Sequence, residues 1–541
     1  MNKRPFAITL DVGSSRSNHT GSWRVDRPTY VDRLPPCNNA CPAGENIQGW
    51  LYEAESGDYA AAFAQLVEEN PFPAIMGRIC FHPCETQCNR VQVDEAVGIN
   101  GVERFLGDYA LEHSLPLPPP GPDTGKRVLV VGAGPAGLSA TYHLRRRGHH
   151  VRLVDSSAQL GGMMRYGIPA YRLPRDVLDA EIERVIDMGV EVMLNYNVED
   201  IEVERESGRF DAIFLAVGAQ LGKRVNIPAG DSAKILDAVS FLHEVADDHP
   251  PLLGRRVVVY GGGDTAMDAA RTARRLGATE AVVVYRRNFE KMPAHDEEYE
   301  QAKVEGVTMR WLSTISQVDD DKIVIEKMRL NDEGFPEATG EFEELGADAV
   351  VLALGQDTDL TLLSRASDIE VTDGSVRVAD DLMTHGRGIF AGGDAVPAER
   401  TATVAVGHGK KAARGIDAYV RGVALDATVK HELARFDDLN TWYYSDAERT
   451  QRPELEMVRR QDNFEEVVHG LTERNALFEA RRCMSCGNCF ECDNCFGVCP
   501  DNAVIKFDNG TYDFNLDYCK GCGICAHECP CGAIEMVPER I

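Results

Sequence analysis

"KRVLVVGAGPAGLSATYHLRRRGHHVRLVD", residues 126–155, decides the fold of the central part of the chain. Lys126 to Val131 reads as a short buried strand, and a helical pattern runs from Leu138 onward. Between them Gly132, Gly134 and Gly137 follow G-x-G-x-x-G. Glycines let the backbone turn tightly and come close to a pyrophosphate, which rests on the helix N-terminus where free N–H groups and the dipole favour an anion. Asp155 closes the next strand, eighteen residues beyond Gly137, where a carboxylate accepts from ribose hydroxyls. Glycines alone are a weak signal. Strand, glycines, helix and acid in this order specify a dinucleotide site.

The pattern returns in "RRVVVYGGGDTAMDAARTARRLGATEAVVVYRR", residues 255–287. Gly261, Gly263 and Ala266 follow the strand Arg256 to Tyr260, with Asp264 and Thr265 among the candidate nucleotide contacts. The partner strand ends in Tyr285, Arg286 and Arg287, with no acid in the position that NAD-preferring sites use. Two guanidiniums there pair with a 2′-phosphate, which predicts NADPH over NADH; the alternative leaves both as solvated surface charges.

Two such sites in this order resemble the pyridine nucleotide:disulfide oxidoreductase-type flavoproteins, in which FAD takes the first site and the nicotinamide domain is inserted within the FAD domain. Further segments carry the resemblance: "LGGMMRYGIP" (160–169, with Gly162 and Arg165), "FDAIFLAVGA" (210–219, with Gly218), "ADAVVLALGQ" (347–356), "GIFAGGDAV" (388–396, with Gly393 and Asp394) and "TATVAVGHGKKAA" (401–413, with Thr403). It implies that Asp394 meets the ribityl–pyrophosphate region of the flavin and that the helix carrying Thr403 points its N-terminus at the ring. The expected division is an FAD-binding domain at 123–245 and 379–422, with an NADP-binding domain at 246–378. The chain has no cysteine between Cys88 and Cys483, so the disulfide branch of that family is excluded and another acceptor must take the flavin's electrons.

Composition narrows the setting. The chain of 541 residues is 43% hydrophobic and carries a net charge of −29, which argues against a nucleic-acid surface and for a soluble cytoplasmic protein. No stretch has the ~20 apolar residues needed to span a bilayer, and the first residues lack the apolar core of a signal peptide. "LDVGSSRSN" (10–18) reads as an N-terminal arm rather than a phosphate loop. The 16 cysteines fall into two groups, at 37–88 and 483–531; at two- and three-residue spacings in a cytosolic chain they read as metal sites.

Cys37, Cys41, Cys80, Cys84 and Cys88 sit in a region of helical spacing, expected as an all-α domain over 1–122. This region resembles the small subunit of glutamate synthase and the amino-terminal half of dihydropyrimidine dehydrogenase, where a helical domain carries two clusters ahead of the same FAD and NADPH modules. That family has two further cysteines upstream, and this chain has Thr29 and Asp32 instead. The expectation is therefore one [4Fe–4S] cluster on Cys41, Cys80, Cys84 and Cys88, with Cys37 spare and Glu103 and His82 solvated.

At the other end the form C-x2-C-x2-C-x3-C-P occurs twice, and in two-cluster ferredoxins the last cysteine of each run ligates the cluster of the other. One cluster would take Cys489, Cys492, Cys495 and Cys529, the other Cys519, Cys522, Cys525 and Cys499. The stretches "DNAVIKF" and "CGAIEMV" supply the strands of a small α+β ferredoxin-like domain at 481–541, after a helical connector at 423–480. Cys483, Cys486 and Cys531 are left over: a slipped frame, a zinc ion, or a further cluster completed by a partner chain remain open for them.

The fold class is multi-domain, an α/β double Rossmann core between two iron–sulfur domains. NADPH delivers two electrons at once and a cluster accepts one, so a flavin must lie between them. The expected function is an NADPH-linked electron-transfer subunit with FAD and three [4Fe–4S] clusters, its partner a thiamine-diphosphate 2-oxoacid oxidoreductase or an FMN-containing glutamate synthase large subunit. The alternatives are a stand-alone NAD(P)H:ferredoxin oxidoreductase serving a soluble ferredoxin, and an assembly subunit whose clusters are structural.

Overall fold

A computed structural model describes residues 19–223, 225, 227–230, 234–425 and 431–539; the arm at 10–18 lies outside the described residues. Two five-stranded parallel sheets carry the centre. The first runs Ile389–Ala391, Ala212–Leu215, Arg127–Val131, His150–Val154 and Glu191–Met193 in spatial order. The second runs Thr308–Arg310, Glu280–Val284, Arg256–Gly261, Ala349–Ala353 and Ile235–Asp237. Their strands are near-continuous apolar runs because helices cover both faces of a parallel sheet. On the first sheet the helix Pro135–Arg146 lies against Ala402–Arg421; a Cβ on Gly409 would stand 2.4 Å from the Ala136 carbonyl oxygen, so only glycine lets these backbones meet. A three-stranded antiparallel meander, Ser313–Val318, Lys322–Leu330 and Pro336–Gly346, extends the second unit.

The boundaries between these units differ from those expected. Strand Ile235–Asp237 pairs with Ala349–Ala353, so the second unit has begun before 246. The chain crosses between the units at the short antiparallel pair Leu221–Gly222 and Gln356–Asp357. Beyond it Leu362, Leu363, Ala366, Ile369 and Val376 pack with Leu129, Ile213 and Leu215 of the first sheet, so residues 360–376 belong to the first unit and not to the second.

The amino-terminal unit is helical over Pro36–Glu112, built on Trp50, Leu51, Leu66, Val102 and Leu106. It does not stand alone. Strand Asp26–Tyr30 pairs antiparallel with Ile534–Pro538, and Leu471, Ala476 and Ala480 enter the helical core. The expected helical connector is mostly irregular: among its described residues only Glu473–Arg481 is α-helical. Its backbone N–H groups go to side chains instead, Ala447 donating to Asp94 and Arg449 to Glu95 of the helical unit, and Thr450 to Glu479 of its own helix. Carboxylates thus replace the helical ladder. In the carboxy-terminal unit Val504–Lys506 pairs with Tyr512–Phe514, whereas the second repeat's strand, Ile534–Pro538, recruits the amino-terminal strand.

Candidate functional site: a dinucleotide cleft beside a cysteine site

A cleft of about 320 Å³ opens where the three large units meet. Gly132, Gly134, Gly162, Gly218, Gly393 and Asp394 line it from the first fold, Asp264 and Thr265 from the second, and Ile79 and Phe81 from the helical unit. Gly132 holds φ +104°, and a Cβ there would stand 2.3 Å from the Ala216 carbonyl oxygen; one on Gly137 would stand 1.9 Å from that of Gly132. Gly134 caps the helix Pro135–Arg146 without a side-chain cap, leaving the first N–H groups for an anion. These features fit a pyrophosphate.

Asp155 accepts from the Ala133 N–H (2.7 Å) and the Ser157 N–H (2.7 Å), bracing the glycine loop. It also borders an adjoining trough lined by Tyr196, Glu199 and Asp359 that shares Gly132 and Val217 with the cleft. The two together make an elongated site, the shape an FAD requires. Burial pushes the Asp394 carboxyl up, against the pull of Arg400.

Of the expected contacts, Gly137, Gly261, Gly263, Arg286 and Arg287 do not themselves line the cleft, and Arg165 and Thr403 turn away from it. Arg165 donates to the Leu160 carbonyl (2.6 Å) and pairs with Asp179. Thr403 turns its Oγ1 toward Met76 Sδ, 3.7 Å away, while Thr401, Ala402 and Ala405 meet the cleft instead. Sequence reasoning missed Ile79 and Phe81. Their signal is adjacency, since they flank Cys80, so a cysteine site abuts the cleft wall.

In the second fold Gly261 (φ +155°) would place a Cβ 2.1 Å from the Ala353 carbonyl oxygen, whereas Gly263, heading the helix Asp264–Arg275, has open space. Asp264 accepts from the His295 backbone N–H and lies 2.9 Å from its Nδ1, and the His295 ring stacks on Phe81 at 3.3 Å between centroids. A Cβ on Gly262 would press on the Tyr285 ring at 2.4 Å, which sets Arg286 and Arg287 beside this loop. Arg286 is exposed; Arg287 is half-buried, over the Phe335 ring at 5.8 Å.

The cysteines regroup. Cys41, Cys80 and Cys84 lie near one another together with Glu103: burial and then Glu103 push the Cys80 thiol up to about 12, and burial, then Glu85, Cys80, Cys41 and Glu103, push Cys84 up. Glu103 is 6% exposed and accepts from Asn70 Nδ2 at 3.0 Å, which corrects the expectation of a solvated acid. His82 is likewise half-buried, between Glu85 (3.5 Å) and Glu297 (3.4 Å). Cys88 is not in this set. It lines a separate pocket with Cys37, Cys483 and Cys486.

At the carboxy terminus Cys499, Cys519, Cys522 and Cys525 line one pocket. Cys489, Cys492 and Cys529 all act on Cys495. Backbone N–H groups donate to sulfur at Cys80 (from His82, 3.3 Å), Cys499 (from Ala503, 3.2 Å) and Cys529 (from Ala533, 3.3 Å), the bonds that tune cluster potentials. Among the described residues no three His, Cys, Asp or Glu side chains converge on a single metal ion. A zinc would need sulfurs about 3.8 Å apart, from Zn–S bonds of about 2.3 Å. Four thiols lining one pocket at Cys499, Cys519, Cys522 and Cys525, and three thiols beside a buried carboxylate at Cys41, Cys80, Cys84 and Glu103, are the donor chemistry that iron–sulfur clusters take.

Two dinucleotide folds sharing one cleft, with a thiol set at its wall and further thiol sets beyond it, define an oxidoreductase that joins nucleotide and iron–sulfur chemistry. Comparison with known proteins agrees. The chain belongs to the pyridine nucleotide-disulphide oxidoreductase family, whose profile matches residues 126–409. Residues 31–115 match the dihydropyrimidine dehydrogenase domain II, 4Fe-4S cluster profile, and 512–535 a 4Fe-4S binding domain. It is 32% identical over 499 residues to the NADP(+)-dependent formate dehydrogenase subunit beta of Moorella thermoacetica, covering 83% of this chain and 70% of that one. It is 32% identical over 511 residues to the NADPH-Fe(3+) oxidoreductase subunit beta of Geobacter sulfurreducens, covering 84% and 76%. To the putative glutamate synthase [NADPH] small chain of Cereibacter sphaeroides it is 36% identical over 388 residues, covering 66% and 93%. FAD, a nicotinamide nucleotide and iron–sulfur clusters are the cofactors this membership implies. No helix among the described residues is long and apolar enough to cross a membrane.

Proposed function

We propose that the chain carries electrons between NADP(H) and iron–sulfur clusters, as a subunit that feeds or drains a separate catalytic partner. One observation carries this reading: one and the same cleft is walled by Gly132 and Asp394 of the first fold, Asp264 and Thr265 of the second, and the residues flanking Cys80. A flavin held there supplies the exchange between a two-electron hydride carrier and one-electron acceptors.

The protein's own groups do the positioning. The glycine loop and the uncapped helix N-terminus hold the pyrophosphate, Asp155 fixes that loop, and Asp394 sits at the buried end. Ala402, Ala405 and Phe81 keep the cleft wall apolar and water out. Arg286 and Arg287 take the 2′-phosphate. Cys41, Cys80, Cys84 and Glu103 hold the cluster nearest the cleft, and the two C-terminal sets of four hold the outer pair. Cys489, Cys492 and Cys522 are exposed, so the outer end is where a partner docks. The relatives are named as subunits of formate dehydrogenase, Fe(3+) oxidoreductase and glutamate synthase, which supports a catalytic subunit as partner. A thiamine-diphosphate 2-oxoacid oxidoreductase is a further candidate of that kind, and a soluble ferredoxin the alternative acceptor.

The test is Cys80→Ser in the full chain, handled without oxygen. It should keep its flavin and let NADPH bleach it at the wild-type rate, while reduction of the C-terminal clusters falls at least tenfold. Unchanged cluster reduction would contradict the route.

A further inference from the structure

We propose that Cys37, Cys88, Cys483 and Cys486 hold a fourth [4Fe–4S] cluster, built from both ends of the chain and set between the Cys41 site and the C-terminal cluster pair. These cysteines come from three separate segments and line one pocket. Cys37, Cys88 and Cys483 also pack against the same helical core. Free cysteines bury readily as small apolar groups. Packing alone, however, does not account for the shape of the turn that carries two of them.

That turn is the second, independent observation. In Cys483-x-x-Cys486 the residues on either side of the second cysteine, Ser485 (φ 47°) and Gly487 (φ 77°), are left-handed. The same two positions are left-handed around Cys492, at Glu491 (58°) and Asp493 (65°), and around Cys522, at Gly521 (71°) and Gly523 (75°). The chain therefore repeats its cluster-loop conformation a third time and accepts strain at a non-glycine residue to do so. The Ser485 N–H donates to Cys483 Sγ at 3.4 Å, as backbone N–H groups do at the other sets.

The segment is delivered to the helical unit by a buried network. Arg482 is 2% exposed and donates to Glu479 (2.8 Å) and to the carbonyls of Ala96 (2.8 Å) and Glu95 (2.8 Å). Glu479 in turn accepts from the Gly98 N–H at 2.7 Å, and Arg90 donates to the Arg482 carbonyl at 2.7 Å. On the far side the Gly487 N–H donates to the Cys531 carbonyl at 2.6 Å, inside the ferredoxin unit. Cys88 is four residues from Cys84, Cys37 four from Cys41, and Cys486 three from Cys489. Three residues of chain span at most about 11 Å. The site is thus the stepping point between the cleft-side cluster and the outer pair. Each NADPH gives NADP⁺, one proton to solvent and two electrons, which cross as two one-electron reductions of clusters.

Metal content tests this apart from turnover. The full chain, purified without oxygen, should hold about sixteen irons and as many sulfides for four cubes. Cys483→Ser/Cys486→Ser should hold about twelve, with flavin unchanged, the C-terminal cluster EPR signals retained and one signal lost. Cys531→Ser should lose none. Full iron in the double variant, or one zinc per chain in the wild type, would overturn the proposal. If the double variant does not fold, Cys37→Ser and Cys88→Ser must each lose the same four irons, and retention in either overturns it. About twelve irons in the wild type would sink this inference alone; none at all would sink the proposed function with it.

Discussion

Replacing Arg286 and Arg287 together by alanine should abolish most of the preference for NADPH over NADH. Strand Glu280–Val284 runs parallel to Arg256–Gly261 with Val284 opposite Tyr260, so the two arginines emerge level with the glycine loop. A hydrogen bond to a charged group contributes about 1.5–3 kcal/mol. Arg286 is exposed and belongs at the low end of that range. Arg287, half-buried over Phe335, is held in place and belongs at the high end. The pair then contributes about 4–5 kcal/mol toward the 2′-phosphate, or a factor on the order of 10³ at 1.4 kcal/mol per decade. The assay is kcat/KM for each nucleotide with a dye acceptor that takes electrons without the clusters. NADPH should fall by that factor while NADH stays within about threefold. An unchanged ratio would refute the assignment of the 2′-phosphate to these guanidiniums.

Gly137→Ala should lose bound flavin, because its Cβ would stand 1.9 Å from the Gly132 carbonyl oxygen, whereas Gly263→Ala, with open space and φ −97°, should fold and keep it; flavin absorbance per chain decides. Glu103→Leu should remove one cluster EPR signal and leave the C-terminal pair, since it deletes the carboxylate facing Cys41, Cys80 and Cys84; an unaltered spectrum would count against Glu103 as a ligand. Glu181 is fully buried and accepts from the N–H groups of Ala74 (3.1 Å) and Ile75 (2.9 Å), tying the flavin unit to the helix Pro73–Ile79. Burial pushes its carboxyl up to about 7, against those N–H groups. A raised folded-state pKa gives stability complete below the ordinary value near 4.5 and lost as the pH rises through 7, on the order of 3 kcal/mol. Glu181→Gln should flatten that window in melts across pH 4.5–8; the wild-type slope in the variant would exclude Glu181 as its source.

The readable part of this chain was the local part. Gly132, Gly134 and Gly137 declare their strand, turn and helix within a dozen residues, and the doubled cysteine run at 489–529 carries its own symmetry. What stayed hidden depends on distant partners. Cys88 stands beside Cys84 in sequence yet faces Cys483 and Cys486, because Arg482 and Glu479 are pulled into the helical unit. Glu103 reads as a solvated acid until Asn70 and Glu45 close over it. The stretch after Gln356 looks like more of the nucleotide domain because Val371–Thr372 and Ser375–Val376 form a local hairpin; only its packing on Leu129 and Ile213 assigns it elsewhere. Arg165 and Thr403 have the right spacing for cofactor contacts but spend their donors on Asp179, Leu160 and Met76.

The most direct test mixes NADPH with the full chain in the absence of oxygen and follows flavin absorbance and iron–sulfur EPR in the same time course. Cluster signals should rise as the flavin bleaches, with no other protein present. A flavin that bleaches while every cluster stays oxidised, in material whose clusters dithionite reduces, would contradict a wire running from the cleft to the termini.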